Sequence, residues 1–211
     1  MTILGLELQA SNIPALKSFY GTRLNLPLSD QADDQFAVHA GQTEIVFSSR
    51  DVTAETVGAV YSFTLAVADA KFDALKADLA QSVTLLSHDG QTVMQSVNTN
   101  TRAFYVRDPA GNTVEFASSS APAPDGATIL GVVFVGLPVD DVAAVQDYLR
   151  SQPTTEQQPS WPLVFVKPGT TWFPGDAVAR VNYIMMTLAG GLNAVTKVLD
   201  YPYYIHTAKV S

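Results

Sequence analysis

The residues that could carry chemistry in this chain include carboxylates and histidines, but none of its 211 residues is a cysteine. Disulfides, thiolate metal sites and a cysteine nucleophile are excluded on that ground. There are three histidines: His39 beside a turn, His88 in Ser87-His88-Asp89-Gly90, and His206 in the last apolar stretch. No two are four residues apart, the spacing that puts a ligand pair on one helix face. Each reads as a surface or rim residue. His88-Asp89 would need a serine on a Gly-x-Ser-x-Gly elbow to build a hydrolase, and the sequence has none. The acid that stands out is Glu115, in the stretch FYVRDPAGNTVEF from Phe104 to Phe116.

That stretch predicts two short strands and a tight turn. Phe104, Tyr105 and Val106 are aromatic or β-branched, and Thr113 to Phe116 resumes the pattern. Between them, Asp108-Pro109-Ala110-Gly111 offers an acceptor, a preset φ and a closing glycine, which is type I turn chemistry. Glu115 alternates with Val114 and Phe116, so these two face helices while the acid faces into the curl of the sheet. An unpaired buried charge is costly, so Glu115 must be solvated, paired or protonated there.

The elements around it follow in order. Ile3 to Gln9 alternates as a strand, with Leu4, Leu6 and Leu8 on one face and Gly5, Glu7 and Gln9 on the other. Ser11 or Asn12 can cap a helix that carries Leu16, Phe19, Tyr20 and Leu24 toward a core. Phe36 to His39 and Thr43 to Ser48 form a hairpin, Tyr61 to Val67 a strand, and Ala70 to Leu79 an amphipathic helix. Val83 to Leu86 and Thr92 to Val97 are further strands. The order is βαβββ, twice. Ser118 to Ala127, SSSAPAPDGA, is small and proline-rich and marks a linker. Beyond it Ile129-Leu130-Gly131 echoes Ile3-Leu4-Gly5, with a helix at Val139 to Leu149 and strands at Leu163 to Val166 and Asn182 to Leu188. A helix is expected at Leu192 to Leu199 and one last strand within Tyr201 to Val210, with no second Asp-Pro-x-Gly hairpin. The second half reads as a truncated repeat of the first.

The hairpin resembles the closing hairpin of the vicinal oxygen chelate superfamily, the glyoxalase, bleomycin-resistance and extradiol dioxygenase proteins. Ile3 to Leu26 adds the family's order of strand, helix, Phe-Tyr and Leu-x-Leu. A more distant likeness, through the Thr171-Trp172 region and the short final helix and strand, is to the two-domain CppA proteins. The resemblance implies an α+β fold of paired βαβββ modules forming a half-open barrel at residues 1–119. A linker at 120–127 and a shorter, degenerate domain of the same kind at 128–211 would follow. It also implies metal ligands at fixed places. These fall on Gly5, on Ser62, on Ile45 or Phe47, and on Glu115; only the last can coordinate, and Gly131 occupies the first position of the repeat. The family metal site is therefore expected to be lost, with no metal and no cofactor.

The implied function is a small-molecule-binding protein with a pocket lined by Glu7, Gln9, Ile45, Phe47, Ser62, Thr64, Arg102 and Glu115. Glu7 and Glu115 could share a cation or a proton; alternatively Glu7 sits at the rim and pairs with Arg102 or Lys17. Two other readings stay open: a metal-dependent lyase, isomerase or dioxygenase with displaced ligands, and a non-catalytic interaction module. Whether any catalysis survives is left open with them. Trp161, Trp172, Phe173, Tyr183, Tyr201, Tyr203 and Tyr204 crowd the C-terminal half, either as packing or as walls of an apolar cleft. Net charge is −8, and the 12 Lys and Arg residues are scattered, so nucleic acid is not expected as a partner. No stretch approaches the ~18 apolar residues of a membrane span, and no signal peptide is visible, which predicts a cytoplasmic protein. An edge strand left by truncation would favour packing between the halves or a homodimer.

Overall fold

The computed structural model describes residues 1–50, 59–96, 98–152, 161–170, 183–190 and 193–209. The first βαβββ unit comprises β1 (Ile3–Gln9), α1 (Ile13–Lys17), β2 (Leu28–Gln31), β3 (Gln35–Ala40) and β4 (Thr43–Ser48). The second comprises β5 (Ser62–Ala68), α2 (Asp69–Ala80), β6 (Met94–Gln95), β7 (Arg102–Arg107) and β8 (Thr113–Ser119). The remainder supplies β9 (Ile129–Pro138), α3 (Val142–Ser151), β10 (Leu163–Val166), β11 (Ile184–Ala189), β12 (Ala194–Lys197) and β13 (Tyr203–Ala208). Asn12 and Asp141 start α1 and α3 by accepting from the amides of Ala15 and Ala144. No helix among the described residues is long and apolar enough to cross a membrane.

The strands form two curled sheets. One has seven strands in the order β12-β13-β11-β1-β4-β3-β2; the other has six, β10-β9-β5-β8-β7-β6. In each N-terminal unit the first strand lies parallel to the last, β1 beside β4 and β5 beside β8. The outer edge of that first strand is covered antiparallel by the second half, β11 on β1 and β9 on β5. A boundary at 120–127 therefore divides the sequence without dividing the sheets. The sheets are also stitched together. The Thr43 hydroxyl donates to the Ile3 carbonyl at 2.7 Å and accepts from the Val132 amide at 3.0 Å. At the preceding turn Gly41 has φ +57°, and a Cβ there would stand 2.0 Å from the Leu130 carbonyl oxygen. Only glycine fits so close an approach.

The apolar faces carry the aromatic core. Tyr20 stacks on Phe47 of the seven-stranded sheet at 4.7 Å and lies 6.5 Å from Phe63 of the six-stranded one. Phe104 stacks on Phe116 at 4.8 Å, and Phe72 of α2 meets Phe104 edge-on. Val114 and Phe116 thus face the helix side, as alternation in the hairpin predicts.

Several elements depart from the sequence reading. A bulge in the β1–β11 ladder falls at Leu4, so Ile3 rather than Leu4 joins Leu6 and Leu8 in the core. The strand expected at Thr92 to Val97 shrinks to Met94–Gln95, with Val97 outside the described residues, and Val83 to Leu86 contributes only a bridge between Leu85 and Val106. The helix expected at Leu192 to Leu199 is instead the strand β12, paired with β13. Val195-Thr196 is β-branched, and positive φ at Asn193 and Leu199 turns the chain at each end of a segment too short for a helix. Leu192 itself, with Thr171, Trp172, Phe173, Asn182 and Val210, lies outside the described residues.

The Asp108 turn is anchored from within. The Asp108 carboxylate is buried and accepts from the amides of Ala110 and Asn112, from the Asn112 side chain at 2.8 Å, and from the Tyr20 hydroxyl at 2.8 Å. The Asn112 side-chain oxygen Oδ1 in turn accepts from the Tyr61 amide, just ahead of β5. Burial and the neighbouring Asp108 charge push the Tyr20 hydroxyl well above its ordinary range, so it remains a donor.

Two measurements follow from this architecture. Residues 1–119 expressed alone would leave β1 and β5 as open edges, so the fragment is expected to elute at or above the mass of a pair; a stable monomeric fragment would show that β9 and β11 are dispensable covers. Asp108→Ala orphans four buried donors and is expected to cost about 3 kcal/mol in urea denaturation, against about 1 kcal/mol for Tyr20→Phe. Equal losses would mean that Tyr20, not the turn, is the main beneficiary.

Candidate functional site

Glu115 is placed by pairing on both of its sides. β8 runs parallel to β5 with Thr64 opposite Glu115, and antiparallel to β7 with Tyr105 opposite Glu115. One row across the sheet, on the face away from α2, therefore reads Tyr105, Glu115, Thr64, Phe134. The next row reads Arg107, Thr113, Ser62, Gly136, Val164. Except for Arg107, these rows, with Asn98, Phe63 and Val166, line a cavity of about 170 Å³.

The carboxylate in this cavity is 4% exposed. Its Oε2 accepts from the Thr64 hydroxyl at 2.6 Å and from the Asn98 amide nitrogen at 3.2 Å, and its Oε1 from the Tyr105 hydroxyl at 3.0 Å. All three partners are neutral donors. Burial, the Glu115 charge and the hydrogen bond hold the Tyr105 hydroxyl above its ordinary range, so it stays a donor through neutral pH. Among the described residues no lysine, arginine or histidine pairs with Glu115.

The other expected site residues divide between the sheets and between their faces. Ser62 and Thr64 join Glu115 at the cavity. Glu7 and Gln9 lie on β1 in the other sheet, so the structure does not bring the two carboxylates together. Glu7 sits half-buried near Tyr61, Tyr183 and Arg50; burial raises its pKa, opposed by the Arg50 charge. Gln9 keeps a buried side-chain oxygen without a partner. Ile45 and Phe47 are fully buried in the aromatic core. Glu44 and Val46 take the opposite face by alternation.

Arg102 is two residues from Phe104 and shares its helix-side face. It pairs with Asp69 at 3.1 Å and Asp73 at 3.2 Å and lies over the Phe72 ring. It cannot reach Glu115 from there, nor does it pair with Glu7. His39 pairs with Glu44 at 3.7 Å on the surface, and His206 contacts Asn193. Tyr105 and Asn98 are the contributors that the sequence reading omits. Counting three residues outward from Asp108 and from Asn112, which bond across the turn, pairs Tyr105 with Glu115.

A divalent ion would need several nitrogen or oxygen ligands with free lone pairs. Glu115 supplies one carboxylate, three of whose acceptor positions are already taken by hydrogen-bond donors. No group of three or more His, Asp or Glu side chains able to hold an ion occurs among the described residues. This donor set does not fit a resident metal.

The model of the Glyoxalase/Bleomycin resistance protein/Dioxygenase superfamily matches residues 2–116. No curated protein matches the chain. Among solved structures, a candidate dioxygenase from Bacillus subtilis is similar over 99% of this chain and 85% of its own, at 15% identity and a TM-score of 0.62. This likeness extends the shared fold through both halves. A lactoylglutathione lyase from Agrobacterium tumefaciens is 21% identical over 56% of this chain and 94% of its own, with a TM-score of 0.46. The bleomycin-binding protein from Streptomyces verticillus, solved with copper(II)-bleomycin, is 27% identical over 55% of this chain and 93% of its own, with a TM-score of 0.40.

The opposed faces of β7 can be tested separately. Tyr105→Phe removes a donor to a buried carboxylate and is expected to destabilise by about 1–2 kcal/mol. Arg102→Ala acts on the exposed side and is expected to leave Glu115 and anything bound there unaffected. A ligand whose affinity follows Arg102 rather than Tyr105 would reverse this assignment.

Proposed function

The chain belongs to the glyoxalase/bleomycin resistance protein/dioxygenase superfamily, and we propose that it is a small-molecule-binding member without the family metal. The ligand enters the cavity at Glu115. One observation carries this reading: a buried carboxylate faces a cavity with all its protein partners neutral, in walls divided between polar and apolar residues. Such a group fixes the orientation of a ligand, while Phe134, Val164 and Val166 provide apolar contact. A metal-dependent reaction with displaced ligands has less support, because Thr64, Asn98 and Tyr105 already occupy three acceptor positions of the one carboxylate and no further ionisable ligand stands beside it among the described residues. The name of the Streptomyces protein agrees with a binding role but adds no argument about this cavity.

Two measurements test the reading. After dialysis, elemental analysis should find well under one equivalent of zinc, nickel, iron or manganese; one tightly held ion per chain, lost in Glu115→Ala, would overturn the metal-free proposal. A panel of small organic compounds should contain members that raise Tm and shift the NMR signals of Val164 and Val166. Glu115→Gln should remain folded, within about 1–2 kcal/mol of the parent, and alter those affinities. Stability loss with unaltered binding would remove Glu115 from the site.

A further inference from the structure

The cavity at Glu115 has a neighbour on the same face of the six-stranded sheet. Along β5, Ser62 and Thr64 line the Glu115 cavity and Ala66 lines a larger one of about 360 Å³ that reaches Trp161. The wall residue common to both is Phe134, which stands opposite Thr64 on β9. Phe134 is therefore a partition between a small polar-ended chamber and a larger one.

The small chamber is selective on charge. Glu115 accepts three hydrogen bonds, the arrangement of an ionised, acceptor-only carboxylate. Its donors carry no charge, so none of them offsets the charge of this buried carboxylate. A buried charge is stabilised most by an opposite charge that also hydrogen-bonds to it. An ammonium group supplies both at the remaining acceptor position on Oε1. An alcohol supplies only the hydrogen bond, and a carboxylate is repelled.

The chamber is also selective on length. At about 170 Å³ it falls below the roughly 300–1,000 Å³ of sites for drug-sized ligands. It corresponds to the liquid volume of about six waters, which suits an amine of about four to six carbons.

We propose that the Glu115 chamber binds a small organic monocation, an ammonium with a short apolar body, and that Phe134 sets the longest body it accepts. The proposal rests on the reading of this cavity as the ligand site. Phe134 acts as a specificity-determining residue, and the 360 Å³ chamber beyond it is closed to the ligand while that ring is in place.

Calorimetric titration with n-alkylammonium ions from ethyl to octyl, beside the matched alcohols and carboxylates, tests both parts on the intact protein. Ammonium ions are expected to bind at least tenfold tighter than alcohols of equal length, and Glu115→Gln should abolish that preference. Affinity should rise by about fourfold per methylene and stop rising near five or six carbons. In Phe134→Ala the rise should continue through octyl. Alcohols or carboxylates that shift the Val164 and Val166 signals and bind as tightly as the amine would overturn the cation specificity while leaving a binding cavity. An uninterrupted rise through octyl in the parent, or an unchanged limit in Phe134→Ala, would overturn the role of Phe134. If none of the three series shifts those signals, this inference and the binding function fall together. The comparison of amine with alcohol needs no variant, so a misfolded mutant would not shield the proposal.

Discussion

The structure depends on one buried carboxylate. Asp108 collects two backbone amides, one side-chain amide and one phenol, and these four donors come from two places far apart in the sequence. Burial pushes its pKa up, and the hydrogen bonds from Asn112, Tyr20 and Ala110 pull it down. The network does more than close a turn. Tyr20 follows α1 in the first unit, and Asn112 holds the amide of Tyr61 ahead of β5, so one turn joins both units and fixes how β7, β8 and β5 align. Register decides which side chains face which way, and a slip of one residue would turn Glu115 toward the helices.

The second constraint lies at the first strand of each unit. β1 and β5 each have a parallel neighbour from their own unit and an antiparallel neighbour from the second half. An exposed edge would offer unpaired amides and carbonyls for association. The second half removes two such edges at once, one in each sheet. This arrangement gives the strands after β8 a structural role in both sheets. It also explains why the wall of the Glu115 cavity contains Phe134 and Gly136, which lie on β9.

Local alternation made much of this legible. The βαβββ order, the Asp108 turn and the orientation of Glu115 follow from residue spacing, and the fold follows from the resemblance those segments carry. What resisted reading has identifiable causes. Glu7 and Glu115 each point away from the core, yet nothing local shows that β1 and β5 belong to different sheets. Counting to family positions points to Ile45 and Phe47, whereas the β4 alternation puts them inside and Glu44 and Val46 outside. Arg102 shares its parity with Phe104, which sends it to the helix side. Analogy with the first half predicts a helix at Leu192 to Leu199, but the strand state of Ala194–Lys197 is imposed by pairing with β13, a tertiary contact that propensity does not encode.

Glu115 shows how these levels meet. Its three donors sit on β5, on β7 and in the segment at Asn98. Two of those strands are aligned by the Asp108 network close by, since Glu115 lies one period of alternation beyond Thr113, about 7 Å along the strand. A hydrogen bond of 2.6 Å to Thr64 tolerates little sliding. The chemistry of the cavity is thus set where no ligand touches, at the turn that holds Tyr20 and Tyr61. A carboxylate positioned this way has three of its acceptor positions committed by the protein's own donors before any ion or ligand arrives. That commitment separates a hydrogen-bonding cavity from a coordinating one.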